Sequence, residues 1–132
     1  MSAGISVVRF RTGNGDYAVL VEHVRGVRTT EGMLPLPTPG AYVVGLLPDG
    51  DRSLTIVNPL GPGHDRVLVL DPDGERFGLL VDEVSGVVAF DPENIGPPPA
   101  GQTDDIISGV LRGGNDHVLL VDARTIARVL VR

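Results

Sequence analysis

The chain repeats itself, and the repeat limits its fold more tightly than any other feature. YAVLVEHVRGV, Tyr17 to Val27, lies over FGLLVDEVSGV, Phe77 to Val87, at a constant offset of 60 with no gap. Tyr17 meets Phe77, Val21 meets Val81, Glu22 meets Asp82, Val24 meets Val84, Gly26 meets Gly86 and Val27 meets Val87. The same offset sets Val7, Val8 and Phe10 over Val67, Leu68 and Leu70, so the match takes in a strand, a turn and a second strand. Farther on, GLLPDGDRSLTIVN (Gly45 to Asn58) lies over GVLRGGNDHVLLVD (Gly109 to Asp122) at an offset of 64. The added residues fall in the proline-rich loops between the blocks. Two copies are too few for a solenoid, which needs about three units to bury a continuous core. Residues 1–132 have room for one domain, and the repeat cores, about 7–60 and 67–122, are expected to form two similar lobes of it. A unit of about 60 residues buries only about 60% of its unfolded surface, so the lobes are expected to share an apolar seam.

Inside each copy the local patterns are those of strands. Aromatic residues are 4% of the chain, aliphatic residues dominate, and 18 glycines with 11 prolines interrupt them at short intervals, which reads as short strands joined by turns. Val67 to Leu70 runs into Asp71-Pro72-Asp73-Gly74, a strong turn signal, before Phe77 to Val81 begins. Gly13-Asn14-Gly15-Asp16 holds the corresponding place in the first copy, so both copies open with a hairpin. The run Gly78-Leu79-Leu80-Val81 predicts a strand covered on both faces. Helix is scarce. Asp91-Pro92-Glu93 offers a cap, a proline and an acid, but Gly96-Pro97-Pro98-Pro99 limits it to one turn. Asp122 is placed to cap a short C-terminal helix over Ala123 to Val131, with Ile126, Val129 and Leu130 on one face. The expected class is all-β with that helix docked at the end.

Several functions are disfavoured. Eleven basic residues against 17 acidic ones give a net charge of -6, which argues against nucleic acid or an anionic membrane as the main partner. The absence of cysteine removes thiol catalysis, disulfides and cysteine-based zinc sites. Apolar runs such as Ala41 to Leu47 are too short to span a bilayer, and Met1 to Ser6 lacks a basic stretch leading into an apolar one. A cytoplasmic location without membrane insertion is therefore expected. His23, His64 and His117 have no metal-ligand spacing and read as ordinary surface or loop histidines, and no nucleophile elbow surrounds Ser6, Ser53, Ser85 or Ser108. Gly61-Pro62-Gly63 and Gly113-Gly114-Asn115 lack the lysine and following helix of a phosphate cradle. Glu22 and Asp82 occupy equivalent places in the repeat, which a shared structural role explains more simply than catalysis. No catalytic residue, metal or cofactor is expected. What stands out is an aliphatic surplus in Val19 to Val27 and Leu79 to Val88, in which Val24, Val84 and Val87 either line an apolar groove or complete the core between the lobes.

The second copy carries a more specific pattern. ERFGLLVDEVSGVVAFDPENIGPPP, Glu75 to Pro99, followed by Ile107-Ser108-Gly109-Val110 and His117 to Asp122, resembles the CheW-like family of bacterial chemotaxis. The first copy agrees more loosely through Tyr17 to Val27, Leu34 to Pro39, Val44-Gly45-Leu46 and Ile56-Val57-Asn58. The resemblance implies two SH3-like five-stranded β-barrel lobes packed together, with no enzymatic activity. It implies an adaptor that couples the cytoplasmic tip of a chemoreceptor to the regulatory domain of a CheA-like histidine kinase. Carried over by position, the receptor-facing groove would include Val21, Val24 and Val27 from one copy and Gly78, Val84 and Val87 from the other. The chain departs from the family at Pro48-Asp49-Gly50-Asp51, where members typically have Asn-Leu-Arg-Gly. The alternative is a regulatory module that binds another protein or a small ligand in the interlobe groove, outside chemotaxis arrays.

Overall fold

The strands assemble in a way that no single copy of the repeat dictates. The structure is a computed structural model in which residues 4–36, 42–61, 63–98, 106–113 and 116–131 are described. The first copy supplies β1 (Ile5–Thr12), β2 (Gly15–Leu20), β3 (Val24–Thr29), β4 (Leu34–Pro35), β5 (Val43–Asp49) and β6 (Arg52–Val57). The second supplies β7 (Arg66–Leu70), β8 (Phe77–Val81), β9 (Glu83–Phe90), β10 (Ile95–Gly96), β11 (Ile107–Gly113) and β12 (Asp116–Val121). One sheet, here sheet A, has the order β10-β11-β12-β2-β1-β9, and sheet B has the order β3-β7-β8-β6-β5-β4. Among the described residues each sheet thus has six strands rather than the expected five, the extra one being the two-residue β10 or β4. The all-β class, the two lobes and the C-terminal helix are as expected.

The expectation that each copy makes its own lobe is corrected by this topology. The hairpin β1–β2 of the first copy sits in sheet A with β9–β12, and the hairpin β7–β8 of the second sits in sheet B with β3–β6. The exchange is reciprocal, and it is welded by two equivalent parallel pairings: β12 with β2, where Leu120 meets Ala18, and β6 with β8, where Ile56 meets Gly78. The crossings are short. Val21–His23 form a single 3-10 turn between β2 and β3, and Asp82 alone separates β8 from β9. The backbone is extended on both sides of Val21–His23, at Leu20 and at Val24, so the chain runs on into the other sheet instead of turning back.

Alternation along the strands feeds two kinds of core. Val8, Phe10 and Val19 from sheet A meet Leu68, Leu70, Phe77, Leu79 and Val81 from sheet B in a central cluster between the lobes. The intervening residues point the other way, into a small core inside each lobe. These are Val7, Ala18, Leu111 and Val118 in sheet A, and Leu47, Leu54, Ile56, Val67, Val69 and Leu80 in sheet B. Val7 matches Val67 at the offset of 60, and Leu47 matches Leu111 at 64, so the two inner cores are copies of one design. All five residues of β8 are buried, as the run Gly78 to Val81 predicts.

The local signals are realised where they were read. Gly13 takes φ +60 in the two-residue turn between β1 and β2, a backbone state glycine adopts without a Cβ clash. Asp91 accepts the N–H of Glu93 at 3.0 Å over the single turn Pro92–Asn94. Asp122 accepts the N–H groups of Arg124 and Thr125 at the start of α1 (Ala123–Ile126). Beyond Ile126 the helix widens into a π-type turn over Ala127–Val131. Widening shifts the inward face, so Val129, expected inside, is exposed, and Ala127, Leu130 and Val131 pack on the central core beside Ile126.

Candidate partner-binding site

Of the valines singled out in the sequence, Val24 and Val27 lie on β3 and Val84 and Val87 on β9, the strands at one edge of sheet B and of sheet A, and Val21 opens the 3-10 turn before β3. Their spacing, Val24 with Val27 and Val84 with Val87, breaks the alternation of a strand, since residues three apart should face opposite ways. A β-bulge restores the match. In the β3–β7 ladder Val24 meets Leu70 and Gly26 meets Val69, which leaves Arg25 extra. In the β9–β1 ladder Val84 meets Phe10 and Gly86 meets Arg9, which leaves Ser85 extra. One added residue re-aims the strand, so Val27 lies opposite Leu68 and Val87 opposite Val8, on the same face as Val24 and Val84. Gly86 sits at φ +129 beside its bulge, a conformation a side chain would strain.

Along that face burial falls away toward the edge. Val24 and Val84 are partly buried and pack against the central core, so they belong to the seam between the lobes. Val27 is 47% exposed and Val87 is 65% exposed, continuing the apolar face of the core out to the surface. Val21, 38% exposed, borders a shallow recess with Ile5, Ser6, Leu20 and Glu22. Gly78 is elsewhere. It is buried in β8, and a Cβ on it would lie 2.5 Å from Ile56 Cδ1 and 2.6 Å from Val67 Cγ1, inside the core of sheet B. The six positions therefore divide into three at the surface, two in the seam and one in the interior. The aliphatic surplus thus completes the core at Val24 and Val84 and reaches the surface at Val21, Val27 and Val87.

Asp82 holds the seam together, a role its place beside Glu22 in the repeat did not disclose. Its Oδ2 accepts the N–H of Gly13 at 3.0 Å, and its Oδ1 accepts the N–H of His64 at 3.0 Å and lies 3.1 Å from His64 Nδ1. Its own N–H donates to the carbonyl of Arg11 at 2.9 Å. One side chain thus ties the tip of the β1–β2 hairpin to the connector before β7. The hydrogen bond from the His64 ring, then that from the Gly13 amide, hold its carboxyl below the usual carboxylate range. Glu22, its counterpart in the repeat, is exposed; its Oε1 lies 3.9 Å from His23 Nε2, and its carbonyl accepts from Arg25 Nη1 at 2.9 Å. His23 corrects a second expectation: its side chain is buried in the turn that carries the chain from sheet A to sheet B.

The atypical segment Pro48 to Arg52 closes the β5–β6 hairpin, with Asp49 opposite Arg52 and Gly50 at φ +66. Arg28 Nη1 donates to the Pro48 carbonyl at 2.7 Å and lies 3.7 Å from Asp49 Oδ1. Arg76 links Asp49 at 3.4 Å and Asp71 at 3.6 Å. A cleft of about 540 Å³ opens between this hairpin and the β7–β8 loop, at one end of sheet B. Among the described residues no three histidine, aspartate or glutamate side chains are grouped to hold a metal ion, and no helix is long and apolar enough to cross a membrane.

Known proteins share this architecture and sequence. The family model of the CheW-like domain matches residues 6–130. The chemotaxis protein CheW of Rhizobium meliloti (strain 1021) is 30% identical over 137 residues, covering 97% of this chain and 85% of that protein. The chemotaxis protein CheW of Treponema pallidum (strain Nichols) is 23% identical over 132 residues, covering 88% of this chain and 78% of that protein. In fold, the crystal structure of the scaffolding protein TtCheW from Thermoanaerobacter tengcongensis superposes with a TM-score of 0.84 over 98% of this chain and 97% of that one, at 17% identity. With two SH3-like lobes joined through exchanged hairpins and a family match that runs almost from end to end, this chain belongs to the CheW-like family.

Proposed function

We propose that the protein is a non-catalytic cytoplasmic adaptor in chemotaxis-type signalling, binding the cytoplasmic tip of a chemoreceptor and the regulatory domain of a CheA-like histidine kinase at the same time. The observation that carries this reading is the pair of bulged edge strands. Each brings the face of the central core to the surface as an exposed valine, Val27 on β3 and Val87 on β9. An apolar helix face laid against that rim removes aliphatic area from water, while the adjoining Glu22, Arg25 and Glu83 side chains stay at a polar margin that fixes orientation. Membership of the CheW-like family supports both partners and the absence of catalysis. A small-ligand role in the interlobe groove gains no support, because the seam is filled by the side chains of the central cluster.

The test is affinity for the partners in solution. The intact protein is expected to co-purify with a CheA regulatory domain and to bind a receptor-tip fragment. Val27→Asp and Val87→Asp are expected to weaken binding to the receptor tip by about tenfold or more, with the circular dichroism spectrum unchanged because both side chains are exposed. Wild-type failure to retain either partner, or full affinity in both variants, defeats the reading.

A further inference from the structure

A groove lies on sheet A, away from the rim valines. Pro97, Pro98, Val110, Arg112, His117 and Leu119 line a groove of about 380 Å³. Its walls are apolar, and the prolines add no N–H donors to them. Arg112 and His117 stand directly opposite each other in the β11–β12 ladder. Basic groups so placed oppose one another whenever the imidazole is protonated. Among the described residues neither has an ion-pair partner, which is equally true of Arg9, Arg25, Arg52, Arg66 and Arg128; what sets this pair apart is its place on the wall of an apolar groove. The fold does not call for this arrangement. At the equivalent positions of sheet B, offset by 64, Pro48 faces Ser53 in the same register, and Thr55 stands where Leu119 is. Gly96 completes the site, since a Cβ there would lie 3.2 Å from Arg112 Nη2, and glycine lets the guanidinium rest against β10.

The geometry points to a groove that takes an extended acidic segment of a partner protein, seating one apolar side chain between the prolines and Val110 and pairing a neighbouring carboxylate with Arg112. A guanidinium presents a planar fork that matches a carboxylate, and His117 adds a second donor beside it. On a chain of net charge -6, this basic spot selects an acidic partner locally where the overall field does not. None of these residues belongs to β3 or β9, so the groove is separate from the rim proposed to face the receptor.

Anisotropy titration of the intact protein with a fluorescein-labelled octapeptide of alternating leucine and glutamate tests it. Two control peptides carry lysine for glutamate, and serine for leucine. The leucine–glutamate peptide is expected to bind, and Arg112→Glu, at an exposed position, to weaken it by about tenfold or more. Both controls are expected to bind at least about tenfold more weakly than the leucine–glutamate peptide. In the wild-type protein, amide NMR shifts on titration are expected at Val110, Arg112 and Leu119, which locates the site even if the variant misfolds. No binding at about millimolar peptide, equal binding of the lysine peptide, unchanged affinity in a folded Arg112→Glu variant, or shifts confined to β3 and β9 would each overturn the proposal.

Discussion

Single side chains decide how tightly the two lobes interlock. Asp82 is the clearest case, since its lowered pKa is a statement about stability. A carboxyl whose folded pKa is depressed contributes stability that is fully present above the unfolded value, about 3.9, and is lost as pH falls through the lower folded value. Asp82→Asn is therefore expected to lower the urea midpoint at pH 7, and the gap from wild type is expected to close as the pH is taken below about 4. Equal midpoints at neutral pH would show that the contacts to Gly13 and His64 contribute nothing net. Gly78 decides a different matter, the room for a parallel junction. Its counterpart in sheet A is Ala18, beside Leu120, so one methyl is accommodated there and none beside Ile56. Gly78→Ala is expected to cost about 1–3 kcal/mol through overpacking. Ile56→Val, which removes the nearest methyl, is expected to recover part of that cost in the double variant. Thermal or urea unfolding of the four proteins in that cycle would reveal the coupling.

Among the elements, the two exchanged hairpins are matched to their sheets by opposite charge patterns. Arg11 pairs with Asp16 across the first hairpin, and Asp71 pairs with Arg76 at the equivalent places of the second, with the signs reversed. In sheet B the neighbouring β5–β6 turn carries Asp49, which Arg76 reaches, whereas the equivalent residue in sheet A is Gly113. Seated in sheet B, the first hairpin would set Asp16 against Asp49, so the charges favour the observed pairing over its mirror arrangement. These ion pairs are partly exposed and each contributes about 0–1 kcal/mol. Arg76→Asp gathers three carboxylates in their place and is expected to cost about 1 kcal/mol at low salt, with a smaller effect at about 1 M salt, where screening shortens the reach of charge to about 3 Å. A salt-independent loss in urea titrations would mean that packing, rather than charge, sets the effect.

At the scale of the whole molecule, the reciprocal exchange makes the lobes one cooperative unit. Neither copy of the repeat contains a complete sheet: residues 1–61 lack the hairpin of sheet B, and residues 63–132 lack that of sheet A. Each fragment alone leaves parallel edges and half of the central cluster open to water. Expressed separately, the two fragments are expected to be largely unfolded by far-ultraviolet circular dichroism and to regain strand signal when mixed. The intact chain is expected to unfold in one transition, seen alike by backbone dichroism and by Tyr17, whose ring stacks on Phe10 at 5.7 Å. Strand signal in either fragment alone, or two separate transitions, would show that a lobe forms without its exchanged hairpin.

The division between what the chain spells out and what only the assembled molecule decides follows the range of the forces involved. Turns, caps and strand faces depend on neighbours a few residues away. The Gly13 turn, the Asp91 and Asp122 caps and the doubly covered β8 were therefore legible, as was the repeat that pairs Val24 with Val84. Period-two alternation states which residues share a face and is silent on which strand lies alongside. Because the copies present nearly the same apolar pattern, either hairpin suits either sheet by pattern alone. The exchange, the seam placement of Val24 and Val84 and the burial of Gly78 were settled by long-range pairing. So was the bulge that keeps Val27 and Val87 on the face of Val24 and Val84, since it exists only where one strand meets its partner with a residue to spare.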